Sequence, residues 1–232
     1  MCETKACDFH RDGAQFYPSA LLASDLADLR TLTDRLPQYR GGTRLFGDKR
    51  LTQILQPSGS IGNIAVKIQG NRTQAVRAVL FNKSPEANWM VPWHQDRTIV
   101  VQHRRDTEGF GPWSFKTGLQ HVEPPFEILS RMITIRIHLD DCDTDNAPLL
   151  IAPGSHKLGR ITADKAAKFA KRTGPVACIA MAGDVWIYST PILHASERAK
   201  RPRQRRVLQI DYANFDLPSG LAWLGVTSKN PV

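Results

Sequence analysis

The segment Pro92-Trp93-His94-Gln95-Asp96 offers an imidazole and a carboxylate two residues apart, and a second imidazole, His194, stands far downstream in Pro191-Ile192-Leu193-His194-Ala195-Ser196. Residues two apart on an extended segment project to the same side, so His94 and Asp96 can hold one ion together. Two imidazoles and one carboxylate on one face of Fe(II) leave the other coordination positions open for a cosubstrate and O2. Arg205, eleven residues beyond His194, supplies a planar guanidinium able to grip the far carboxylate of 2-oxoglutarate through two charge-assisted bonds. Neither half is specific alone. A His-x-Asp tripeptide arises often by chance, and a lone histidine after a strand is usually a structural residue. The combination and its order carry the signal.

Such a set needs rigid strands that end at a common rim. From Ile61 onward the sequence reads as short β-type runs separated by turn residues: Ile64 to Ile68, Val76 to Phe81, Thr98 to Gln102, Met132 to Leu139, Leu149 to Ala152, Val185 to Tyr188 and Val207 to Tyr212. Many short strands and few helices predict a sandwich or jelly roll. Before them, leucines at 21, 22, 26, 29, 32 and 36 predict a helix over Ser19 to Leu36, ended by Pro37. A short surface helix is expected over Asp164 to Arg172. Within Met132 to Leu139 the isoleucines and Leu139 share one face, and Met132, Thr134, Arg136 and His138 share the other. That second face points either to solvent or into a polar pocket, and alternation alone does not choose.

At 232 residues, 41% of them hydrophobic and 23% charged, the chain suits one globular domain with a sizeable core. A single domain over 1–232 is expected, with a helical lead-in over about 1–60 and the β core over about 61–215. No apolar run approaches a membrane span, and Met1-Cys2-Glu3-Thr4-Lys5 opens into polar residues without the apolar centre of a secretory signal. The expectation is a cytoplasmic protein without a membrane partner. Cysteines at 2, 7, 142 and 178 lack the spacing of a zinc cluster or disulfide framework and read as reduced thiols. The formal charge is +9, with much of the excess in Arg198, Lys200, Arg201, Arg203, Arg205 and Arg206. No aromatic residue interleaves them, as stacking on bases would require. A solvated loop is therefore favoured over a nucleic-acid surface. Oligomeric state is left open.

Pro92-Trp93-His94-Gln95-Asp96, Asn146-Ala147-Pro148-Leu149 with Pro153-Gly154-Ser155-His156, Gly183-Asp184-Val185, and His194-Ala195-Ser196 followed by Arg205-Arg206-Val207-Leu208 together resemble the phytanoyl-CoA dioxygenase family of Fe(II)/2-oxoglutarate oxygenases. The resemblance runs from about Val79 to Tyr212. It implies a mainly β fold, the double-stranded β-helix (a cupin-like jelly-roll barrel) with flanking helices, and a metal at the barrel's open end. Iron ligands map onto His94, Asp96 and His194. The cosubstrate carboxylate maps onto Arg205, with Arg206 as the adjacent alternative, supported by Ser196 and by Lys83 in Phe81-Asn82-Lys83-Ser84-Pro85; Thr134 is a further cosubstrate candidate. Arg136, His121, Trp113 and Arg97 are the substrate candidates, with Arg97 and residues 103–125 forming a lid.

The implied reaction consumes Fe(II)-bound 2-oxoglutarate and O2, releases succinate and CO2, and hydroxylates a small, possibly acidic metabolite. Halogenating relatives have Gly or Ala where this chain has Asp96, so the carboxylate argues for hydroxylation. Epimerisation, desaturation or ring closure with the same cofactors, and a non-catalytic metal-binding jelly roll, are the alternatives. Ala147 stands where the family often has Gly, so that turn is expected to avoid the left-handed backbone that Gly tolerates.

Overall fold

The computed structural model describes residues 7–37 and 41–227, so Cys2 and the opening residues lie outside it. In chain order the elements are α1 (Phe9–Asp12), β1 (Ala14–Tyr17), α2 (Ala23–Asp34), β2 (Thr43–Arg44), α3 (Lys49–Leu55), α4 (Ser60–Gln69), β3 (Gln74–Lys83), β4 (Val91–His94), β5 (Ile99–Val101), β6 (Trp113–Lys116), β7 (Leu119–Val122), α5 (Phe126–Ser130), β8 (Ile133–His138), β9 (Leu149–Ile151), a 3-10 turn (Ser155–Leu158), α6 (Ala163–Thr173), β10 (Val176–Ala177), β11 (Val185–Ser189), β12 (His194–Ser196) and β13 (Arg205–Ala213). The strands form three sheets, ordered β1-β11-β8-β13-β3-β2, β10-β9-β12-β4 and β5-β7-β6. All of these pairings are antiparallel. The first two sheets are the walls of a jelly-roll barrel.

The large sheet has an apolar outer face and a mixed inner one, which follows from the two-residue period of each strand. Ile133, Ile135 and Ile137 of β8, Leu208 and Ile210 of β13, and Leu80 of β3 pack outward against Leu29 of α2, Leu51 and Leu55 of α3, and Ile61 and Ile64 of α4. The opposite set of β8, Thr134, Arg136 and His138, is buried as well, so it points into the barrel and not to solvent. One end of the interior is apolar, with Trp186, Tyr188, Leu149, Ile151 and Ile192 packed together. The other end is polar and holds the site.

Several expectations need correction. Ile64 to Ile68 is helical, part of α4. Ile61, Ile64, Ala65 and Ile68 fall at positions i, i+3, i+4 and i+7, the stripe of an amphipathic helix, and the first three are buried. Their β-branched character suggested a strand, but the period decides. The helix expected from Ser19 begins only at Ala23. Ser19 takes a left-handed backbone with φ 48° and donates its N–H to Asp184 Oδ1 at 2.7 Å, so the chain turns before the helix starts. Residues 14–17 and 43–44, inside the expected helical lead-in, are strands on the two edges of the large sheet.

Ala147 adopts the left-handed conformation that it was expected to avoid, with φ 53°, at a cost of about 1–2 kcal/mol for a residue with a Cβ. The 103–125 segment is not a bare loop. Its β6–β7 hairpin pairs with β5 and packs Trp113 and Val122 against Leu129, Met132, Phe215 and Trp223. Cys142 and Cys178 are free thiols. Among the described residues no helix is long and apolar enough to cross a membrane.

Candidate metal centre

His94 ends β4 and His194 begins β12, and the two are paired directly across that antiparallel ladder. Their ring centroids are 4.2 Å apart. Asp96 follows two residues after His94, and one ligand atom from each of His94, Asp96 and His194 lies within 4.8 Å of the others. Each imidazole is oriented in the same way. His94 Nδ1 lies 2.8 Å from Pro92 O, and His194 Nδ1 lies 2.9 Å from Ile192 O. A carbonyl only accepts, so Nδ1 carries the proton in both rings and both Nε2 lone pairs are free for a cation.

Gln95, between His94 and Asp96, faces the other way. Its amide donates to Pro191 O at 2.8 Å and Gly159 O at 3.0 Å, and its carbonyl accepts from Ile161 N–H at 2.8 Å. It thereby ties the His94 strand to the turn that leads into His194.

Burial acts on these groups in opposite ways. Desolvation pulls His194 down to about 4, against the pull of Asp96, so the ring is neutral at physiological pH and ready to bind a cation. Burial pushes Asp96 upward, but His194, Arg77, His94 and a hydrogen bond from Gln209 together hold it below the usual carboxylate range. Arg77 is the fixed cation beside it, with Nε 2.5 Å from Asp211 Oδ2 and Nη2 3.7 Å from Asp96 Oδ2.

The site opens onto a cavity of about 290 Å³ between the two walls. The large sheet contributes Arg77, Val79, Phe81 and Lys83 from β3, Arg136 from β8, and Arg205 and Gln209 from β13; the small sheet contributes Val91, Leu149, Ala195 and Ser196. Arg205 and Lys83 are cross-strand partners. Lys83 Nζ donates to Ser196 Oγ at 2.9 Å and sits 5.3 Å from the centre of the Trp89 ring. Burial, then Arg205 and Arg136, lower the Lys83 ammonium to about 8, partly offset by Cys142. The Arg205 guanidinium is 2% exposed, and its Nε and Nη1 lack hydrogen-bond partners. Arg206 points out of the opposite face, where it donates to Asp140 Oδ1 and Oδ2 at 2.8 Å each and to Asp34 Oδ1 at 2.5 Å. Of the two adjacent arginines, Arg205 is the one in the cavity.

Other sequence candidates are placed elsewhere. Thr134 lies on the inner face but below the cavity, donating to Asp211 Oδ1 at 3.0 Å, with Thr190 Oγ1 also 3.0 Å away. Arg97 donates to Ile161 O at 3.0 Å. His121 is buried on β7 with Nδ1 3.1 Å from Leu119 O, and Trp113 lies on β6 under Arg104, 5.5 Å from its ring centre. None of these four lines the cavity. The basic loop is divided between ion pairs, Arg201 with Asp145 at 3.0 Å and Arg203 with Asp143 at 2.5 Å, and the inward Arg205.

Sequence reasoning missed Arg44, Arg77, Trp89, Gln209 and Asp211. Most were legible. Carrying the alternation of β13 on from Arg205 through Val207 gives Gln209 and Asp211, and carrying that of β3 back from Lys83 gives Arg77.

A jelly-roll barrel that presents two imidazoles and a carboxylate at the rim of a basic cavity has the donor set of an open, mononuclear metal site. The chain belongs to the phytanoyl-CoA dioxygenase (PhyH) family, whose profile matches residues 9–207. Solved structures share the fold at low identity. The epimerase SnoN from nogalamycin biosynthesis, in complex with Fe3+, alpha ketoglutarate and nogalamycin RO, is 16% identical with a TM-score of 0.65 over 97% of this chain and 90% of that one. The carbocyclase SnoK from nogalamycin biosynthesis is 16% identical, TM-score 0.63, over 88% and 80%. HygX from Streptomyces hygroscopicus, with nickel, 2-oxoglutarate and hygromycin B bound, is 13% identical, TM-score 0.60, over 88% and 84%. No curated protein matches the sequence.

Proposed function

We propose that this protein is an Fe(II)- and 2-oxoglutarate-dependent oxygenase that hydroxylates an aliphatic C–H bond of a small metabolite. One observation carries the reading. A three-ligand site with both histidine tautomers set for a cation shares its cavity with a buried guanidinium that has two nitrogens unpartnered. The donor set suits Fe(II). Arg205, with Nε and Nη1 unpartnered and the Cys142 thiol as its side-chain neighbour, lies beside Lys83 and Ser196. It suits the carboxylate of a keto acid, since a buried charge without a counter-charge is costly. A purely structural metal would leave the buried Arg205 without an anion to pair with.

When bound, Fe(II) with 2-oxoglutarate and O2 supplies the oxidising power, the keto acid leaving as succinate and CO2 while the substrate gains a hydroxyl group. The chain's own residues hold and shield. His94, Asp96 and His194 would hold the ion, and Arg205 with Lys83 and Ser196 would fix the cosubstrate at the other end. Val79, Phe81, Val91 and Leu149 exclude water along the walls, which strengthens each charge interaction inside. Trp89 covers Lys83, and Asn88 fixes that loop by donating to Ala199 O at 3.1 Å and accepting from Ala199 N–H at 2.7 Å.

The same fold serves an epimerase and a carbocyclase, so the mass of the product distinguishes the outcomes. Substrate screening scored by Fe(II)-dependent succinate formation, followed by mass spectrometry, should find a product with one added oxygen atom. An unchanged mass, or loss of two hydrogens, would replace hydroxylation by epimerisation or by desaturation or ring closure. A folded, iron-loaded protein forming no succinate would contradict the oxygenase reading.

A further inference from the structure

Five cationic side chains, Arg44, Arg77, Lys83, Arg136 and Arg205, line the cavity against a single carboxylate, Asp96. Four of them already have a task. Arg77 is held by Asp211 and Asp96. Arg205 and Lys83 form the anion anchor at one end, and Arg136 Nη1 donates to Gln209 Oε1 at 2.9 Å. Arg44 and Arg136 both form no ion pair among the described residues, and each has a buried Nε without a hydrogen-bond partner. Arg136 is tied to Gln209, whereas Arg44 makes no side-chain hydrogen bond among the described residues and is left over.

The strand register locates this surplus charge. Arg44 on β2 pairs with Val79 of β3, Val79 with Gln209 of β13, and Gln209 with Arg136 of β8. These four residues form one row across the sheet, and it is the row whose Gln209 donates to Asp96. The Lys83–Arg205 pair lies four residues further along β3, about 13 Å at the usual rise per residue. Arg44 is therefore at the metal end, on the edge strand, and remote from the cosubstrate anchor. It also borders an open surface groove with Leu32, Leu36, Phe46 and Asp48, so it stands between solvent and cavity. Asp48 caps α3 by accepting from Leu51 N–H at 2.9 Å and forms no ion pair with Arg44.

We propose that Arg44 is the receptor for an anionic group, carboxylate or phosphate, on the primary substrate, pairing with it beside the metal end of the cavity. This rests on the oxygenase reading above, since it assigns Arg205 and Lys83 to the cosubstrate. A guanidinium recognises either oxyanion through two parallel N–H bonds. With the keto acid occupying the Arg205 end, an anion entering from the groove meets Arg44 next.

The test uses the full chain loaded anaerobically with Fe(II) and saturating 2-oxoglutarate, titrated separately with inorganic phosphate and with acetate. The readouts are perturbation of the visible chelate band and calorimetry. Saturable binding of at least one anion is expected in wild type, weakened about tenfold or more in Arg44→Gln and partly retained in Arg44→Lys, with the Fe(II)/2-oxoglutarate band intact in both variants. Preference for phosphate or for acetate separates a phosphorylated from a carboxylated substrate. Equal affinity in Arg44→Gln, no saturable binding in wild type, or loss of the band together with anion binding would each overturn the assignment, the last by showing a structural role. Absence of the band in wild type would instead sink the oxygenase reading. Calorimetry on the metal-free protein would then still decide whether Arg44 binds anions.

Discussion

Gln209 donates from Nε2 to Asp96 Oδ2 across 3.3 Å, joining the metal-facing carboxylate to the centre of the large sheet. The other end of the same amide accepts from Arg136 Nη1 at 2.9 Å and from Tyr188 Oη at 3.3 Å. The carboxylate's orientation is thereby fixed by three strands at once, through β13 to β8 and β11. Outer residues of this kind set the geometry of a ligand without touching the ion.

Replacing Gln209 by Leu removes that orientation and leaves Arg136 without its partner. Fe(II) affinity should fall about tenfold to a hundredfold, the usual effect of losing such support. Competition against a chromophoric chelator measures it. Unchanged affinity would mean that Asp96 is held by Arg77 alone.

Arg205 and Arg206 should separate cleanly, because they leave the same strand on opposite faces. Arg205→Ala should raise the 2-oxoglutarate requirement by about a hundredfold, as expected for loss of a charge-assisted pair, with little change in melting. Arg206→Ala should keep the 2-oxoglutarate affinity but lose about 2–3 kcal/mol of stability, since it abandons hydrogen bonds from a buried guanidinium to Asp140 and Asp34. Denaturant titration beside 2-oxoglutarate titration gives both numbers. The reverse pattern would exchange the roles.

Lys83 has a pH signature with two parts. Burial and Arg205 bring its ammonium from 10.5 down to about 8 in the folded chain. Affinity for the dianionic cosubstrate should therefore weaken as pH rises through about 8, and Lys83→Met should flatten that profile. Stability should move the other way. Between about 8 and 10.5 the unfolded chain binds the proton that the folded chain has released, so this residue makes stability rise with pH across that window. Lys83→Met should accordingly melt higher than wild type at neutral pH, with the gap closing towards pH 10.5. A gap independent of pH across that window would show that Lys83 keeps its ordinary proton affinity in the cavity.

What was legible in the sequence divides by the physics involved. That His94, Asp96 and His194 could meet was readable from the two-residue spacing of His94 and Asp96 together with the order of the motifs around His194, and the fold brings the three within reach of one another. The choice between Arg205 and Arg206 was not readable, because a one-residue shift moves a side chain to the other face of the sheet and only the pairing of Arg205 with Lys83 sets the register. Thr134, Arg136 and His138 were recognised as one face, yet their direction depended on the helices that cover the isoleucine face. Arg44 could not be found at all, since it joins the cavity only through the pairing of a two-residue edge strand with Val79. Ile64 to Ile68 has the composition of a strand, and only the helical period that includes Ile61 identifies it as part of α4. At Ala147 the turn's demand for a left-handed residue overrides the preference of a side chain with a Cβ.

The most direct measurement is an anaerobic titration of the metal-free protein with Fe(II) and then 2-oxoglutarate, following the weak visible charge-transfer band of the chelate, with Asp96→Ala alongside. A saturable band in wild type, strongly diminished in Asp96→Ala, is the predicted result, and it would tie the three-ligand site and the Arg205 end of the cavity to one bound pair. A folded wild-type protein that gives no band, or an Asp96→Ala variant that gives the wild-type band, would contradict the account.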